Sequence, residues 1–98
     1  MPAPPKILTQ SVTVTNEKGL HARTAAQIVA EVQRFPEAVL YVERDGYKVD
    51  GRSVLGLLTL SATQGTKLTL HISGKEAPAL LAALTALFAS GFLSAAPE

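Results

Sequence analysis

The run Gly19-Leu20-His21-Ala22-Arg23-Thr24 sets a histidine two positions before an arginine, just after a glycine turn and at the start of a helix-patterned stretch. Backbone N–H groups at a helix start have no intrahelical acceptor, and the helix dipole is positive there, so the location favours an anion. A guanidinium forks onto two oxygens at once, which suits the place to a phosphate group. A neutral imidazole is nucleophilic near physiological pH, so His21 is a candidate phosphoryl acceptor and Arg23 a candidate stabiliser of the bound group. The spacing is also compatible with a histidine that merely caps the helix or lies on the surface.

Periodicity indicates the elements that would position this pair. Leu8 to Thr15 alternates, with Leu8, Val12 and Val14 on one side and Ser11, Thr13 and Thr15 on the other, as a half-buried strand does. Ala22 to Phe35 places Ala25, Ile28, Val29, Val32 and Phe35 at helical spacing, and Pro36 ends it. Val39 to Arg44 and Tyr47 to Val49 read as an antiparallel hairpin about Asp45-Gly46. Ser53 is suited to cap a short helix from Val54 to Leu60. Lys67 to Ser73 alternates again, and Glu76 to Ser90 reads as the longest helix, with Pro78 in its first turn and Gly91 at its C-cap. The order βαββαβα implies an α+β fold: an open-faced two-layer sandwich, a four-stranded antiparallel sheet covered on one face by three helices.

The remaining composition narrows the chemistry. Ninety-eight residues make one small domain, expected between Lys6 and Phe92 with flexible tails at 1–5 and 93–98. Nine Lys and Arg against eight Asp and Glu leave a net charge of +1, which lacks the electrostatic footprint of a non-specific nucleic-acid binder. The absence of cysteine excludes disulfides, thiolate metal sites and Cys nucleophiles. With only His21 and His71, no metal site is expected. His71 lies mid-strand on the outward face and reads as a solvated sheet residue. The apolar stretch Ala77 to Ala89, about 13 residues, is short of the roughly 20 that span a bilayer. The N-terminus has no signal-peptide pattern, so a cytoplasmic protein without membrane partners is expected.

The runs GLHARTAAQIVAE and GRSVLGLLTLSATQGTKLTL, in this order and separation, resemble the histidine-containing phosphocarrier family of bacterial sugar phosphotransferase systems, HPr, over Ser11 to Phe92. The resemblance implies a carrier rather than an enzyme with its own turnover. It would accept a phosphoryl group on His21 Nδ1 from phosphorylated enzyme I, with Arg23 as motif partner, and pass it to the A domains of sugar-specific enzymes II. The resemblance requires no cofactor on the carrier. It adds a serine kinase or a transcription regulator as further partners, and a monomer is the default for a shuttle. A regulatory or nitrogen-related relay that acts by binding other proteins is the alternative. One position departs from the family pattern: proline normally follows the arginine, and Thr24 stands there. Threonine supplies an extra N–H and a hydroxyl that could bond the phosphate or compete for Arg23.

Ser53 matches the serine that a dedicated kinase phosphorylates in some members, while its residue type alone fits an N-cap. Val54, Leu55, Leu57 and Leu58 are too many apolar residues for one stripe of a two-turn helix, so some must face solvent. By resemblance these are Val54, Leu55 and Leu58. With Leu20, Arg23, Thr24 and Arg52 they would form a partner-binding patch, with Lys18 adding to the charge at this end. An apolar patch with a basic rim suits brief docking on acidic surfaces.

Overall fold

The computed structural model describes residues 6–93. The elements are β1 (Leu8–Thr13), α1 (Ala22–Gln33), β2 (Val39–Arg44), β3 (Tyr47–Asp50), α2 (Val54–Leu58), β4 (Lys67–Ser73) and α3 (Ala77–Ala89), in the expected order. Residues 1–5 and 94–98, most of the expected tails, lie outside the described residues, and Leu93 is exposed.

The strands form one antiparallel sheet in the order β1-β4-β2-β3. Alternation along β4 turns Leu68, Leu70 and Ile72 to the helical side, where each is at most 1% exposed. Ile72 sits between Leu8 and Leu40, and Val42 pairs with Val49, so one face of the sheet is a continuous apolar floor. Each Leu or Ile buried this way contributes roughly 1.5–3 kcal/mol. Against that floor α1 lays Ala25, Ile28 and Val32, α2 lays Leu57, and α3 lays Leu80, Leu84, Leu87 and Phe88. The opposite face, with Thr9, Tyr41, Glu43, Lys48 and His71, carries no helix among the described residues.

Local signals explain the boundaries. Asp45 and Gly46 both have positive φ, as a two-residue primed hairpin turn requires. Helix α1 stops at Gln33, two residues before the expected end, because the residue preceding Pro36 is disfavoured in helical geometry. Phe35 and Val29, expected in the core, are only half-buried against it. Helix α2 is shorter than expected, and the turn that follows it is tied down by Arg44, whose guanidinium donates to the carbonyls of Leu60 and Ser61 at 2.9 and 2.7 Å. At the end of α3, Gly91 N–H donates to Phe88 and Phe92 N–H to Leu87, the paired bonds of a Schellman stop with Gly91 at φ +68°. The Phe92 ring then packs edge-on against Phe88 at 5.0 Å.

His71 corrects its expectation. It is not simply solvated: its Nε2 lies 2.6 Å from Glu43 Oε1 on the neighbouring strand, and both side chains are largely covered.

Candidate functional site

The turn before α1 is built to a narrow tolerance. Gly19 adopts φ +68°, and a Cβ placed on it would lie 2.3 Å from the Ala62 carbonyl oxygen, so only glycine fits. Asn16 donates its side-chain amide to Gly19 O at 2.8 Å, and Leu20 N–H donates to Ala62 O at 2.8 Å. Asn16 was not among the expected site residues; its preference for turns that begin with a side-chain bond to the backbone was the available signal.

The chain leaves this turn at His21, which is the N-cap of α1 in extended conformation. Its Nδ1 accepts the Arg23 backbone N–H at 3.3 Å. Thr24 accepts the His21 N–H through Oγ1 at 2.9 Å, completing a reciprocal capping box. The capping and the chemical readings of His21 are therefore not rivals. A ring nitrogen accepts an N–H only through its lone pair, so this bond suits the tautomer that carries the ring proton on Nε2.

His21 and Arg23 border an open depression of about 370 Å³ that also includes Lys18 and Gln27 and, from the far end of the chain, Gly91 and Phe92. Gln27 reaches Phe92 O at 3.3 Å, which joins the C-terminal end of α3 to the first turns of α1. Gly91 is expected as a helix stop; its place and that of Gln27 beside His21 depend on helix packing that local spacing does not encode. The electrostatics of the depression combine the positive helix start with Lys18 and Arg23, against Glu17 on its border.

The expected partner-facing residues divide. Leu55 is 77% exposed, and Val54 and Leu58 are half-buried, so α2 does present apolar surface. Leu20 does not belong with them: it is 8% exposed and part of the core, drawn inward by its bond to Ala62. Thr24 is 4% exposed as well; it lines the depression beside His21 and Arg23, and its hydroxyl bonds the backbone carbonyls of Gly19 and His21. Arg52 is exposed but paired with Asp50 at 3.7 Å and lies outside the depression. Ser53 is the N-cap of α2, with Oγ accepting Gly56 N–H at 2.9 Å. Among the described residues no three His, Asp or Glu side chains gather as a metal would need, and no helix is long and apolar enough to cross a membrane.

Comparison with known proteins places this geometry. A family model described as the PTS HPr component phosphorylation site matches residues 8–90. The HPr-like protein Crh of Bacillus subtilis is 40% identical over 77 residues, 79% of this chain and 89% of Crh. The phosphocarrier protein NPr of Escherichia coli is 36% identical over 83 residues, 85% of this chain and 92% of NPr. The crystal structure of an HPr from Thermoanaerobacter tengcongensis matches with a TM-score of 0.83 at 30% identity, over 91% of this chain and 99% of that one. The family match covers most of the chain and the fold agrees with that of a solved relative, and the chain belongs to the HPr family of phosphotransferase-system phosphocarriers.

Proposed function

We propose that His21 accepts the phosphoryl group on Nδ1 from phosphorylated enzyme I and delivers it to the A domains of sugar-specific enzymes II. The observation that carries this reading is the bond from Arg23 N–H to His21 Nδ1, which supports an unprotonated Nδ1 at a helix start beside a guanidinium. The 3.3 Å between the two nitrogens is too short to admit a phosphorus atom, so the ring tilts away from α1 to meet the donor. The Nδ1 lone pair then forms the N–P bond while the donor's bond to phosphorus breaks, its electron pair leaving with the donor. The proton on Nε2 stays where it is, and no base is needed. As the ring returns, phosphoryl oxygens replace Nδ1 as acceptors of the Arg23 N–H, with the Arg23 guanidinium and Lys18 in reach of the same depression. Transfer onward reverses these steps.

Leu55, with Val54 and Leu58 at its sides, supplies the apolar part of the docking surface, and Arg23, Arg52 and Lys18 supply its charge. A small patch of this kind favours fast encounter and fast release, which a shuttle between two partners needs. Ser53 stands at the start of the same helix, so a phosphate there would add about two negative charges to that surface and oppose an acidic partner.

The test is intact mass after incubation with enzyme I and phosphoenolpyruvate, with His21→Ala as control. One acid-labile phosphoryl group on the wild type and none on the variant is expected; no labelling of the wild type under conditions that label another HPr overturns the reading.

A further inference from the structure

Thr24 is the buried polar side chain of this chain among the described residues, 4% exposed in an otherwise apolar core. A buried hydroxyl without partners costs about 1–3 kcal/mol, so its bonds show what the fold holds in place through it. Thr24 Oγ1 accepts the His21 backbone N–H at 2.9 Å. Its single proton goes to the Gly19 carbonyl at 3.0 Å, with the His21 carbonyl at 3.2 Å as the alternative acceptor. Gly19 is itself fixed by Asn16 and by its close approach to Ala62. The hydroxyl therefore joins a rigid turn to the backbone of the reacting residue, and the freedom left to His21 is rotation of its side chain.

We propose that Thr24 is a positioning residue for phosphoryl transfer: its buried hydroxyl fixes the His21 backbone so that an unprotonated Nδ1 rests on the Arg23 N–H, with the ring proton on Nε2 and the lone pair released when the ring tilts to meet the donor. This rests on the reading of His21 as the phosphoryl acceptor. The ring that leaves α1 to meet a donor returns to one geometry, because only side-chain torsions move. Proline, the residue that the family pattern places after the arginine, has neither a hydroxyl nor an N–H. The device is thus a property of this chain, and it converts a position that elsewhere presets φ into a hydrogen-bonded brace.

The experiment compares wild type, Thr24→Val and Thr24→Ser. Valine keeps the branched shape and removes the hydroxyl; serine keeps the hydroxyl and removes the methyl. Long-range proton–nitrogen spectra of the neutral His21 ring report its tautomer, and single-turnover acceptance from phosphorylated enzyme I reports the rate. The wild type is expected to carry its ring proton on Nε2. Thr24→Val is expected to mix the tautomers and to accept about tenfold more slowly, while Thr24→Ser stays within about twofold of wild type. An Nδ1-protonated wild type, a Thr24→Val that matches wild type in both readouts, or a Thr24→Ser as slow as Thr24→Val each overturns the proposal. If Thr24→Val does not fold, the wild-type tautomer and the Thr24→Ser rate decide. A wild type that takes no phosphoryl group defeats the His21 reading instead, and the tautomer is measured without any donor, so the two failures are distinguishable.

Discussion

His71 Nε2 and Glu43 Oε1 meet at 2.6 Å across β4 and β2, on the sheet face that no helix among the described residues covers. The hydrogen bond with His71 holds the Glu43 carboxyl below its ordinary value of 4.5, aided by the Gly46 N–H and by the charges of His71 and Lys48, against an opposing contribution from burial. A carboxyl lowered in the folded state contributes stability above its unfolded value and loses it as pH falls through the folded value. Glu43→Gln should therefore flatten the dependence of melting temperature on pH below about pH 5. Thermal melts of both proteins from about pH 6 to about pH 3 check this, and phosphoryl acceptance at neutral pH should not change, since the pair lies away from His21.

Arg23→Lys keeps the positive charge and loses the planar fork. Acceptance of the phosphoryl group should slow by roughly tenfold, and melting temperature should hold, because Arg23 is an exposed side chain. Single-turnover labelling with phosphorylated enzyme I measures the first and a thermal melt the second.

Gly19→Ala would force a Cβ into the Ala62 carbonyl and a left-handed φ onto alanine. A destabilisation of about 3 kcal/mol is expected, on the order of 15 °C in melting temperature for a domain of this size. Denaturant unfolding gives the free energy directly. A variant as stable as wild type would mean that the turn before His21 is free to rearrange.

Leu55→Ala removes an exposed side chain from α2. Stability should stay within about 0.5 kcal/mol of wild type, while KM for the carrier as substrate of enzyme I rises roughly threefold to tenfold with kcat retained. Steady-state kinetics with carrier concentration as the variable separates the two parameters.

Ser53→Ala removes the oxygen that accepts Gly56 N–H and should lower stability by about 1 kcal/mol. Ser53→Asp keeps a capping oxygen and adds charge, so it should recover that stability and yet raise KM at the docking surface. Denaturant melts and the same kinetics distinguish a cap from a control point.

The alternation of Leu68, Leu70 and Ile72, the Asp45-Gly46 turn and the apolar run of α3 were legible because they are local: residue type and a period of two or 3.6 specify which side each residue takes. The pair His21 and Arg23 was legible for the same reason, since a helix start is announced by the turn before it. What spacing left undecided depended on neighbours distant in the chain. Leu20 goes inward because Ala62 takes its N–H, and His71 finds Glu43 because β2 and β4 are adjacent in the sheet. Gly91 and Phe92 come beside His21 because α1 and α3 pack on one floor. Thr24 shows the division most plainly: its place after Arg23 is written in the chain, but whether its hydroxyl faced a phosphate or the backbone was decided by burial, which leaves a polar atom only the partners that the folded turn provides.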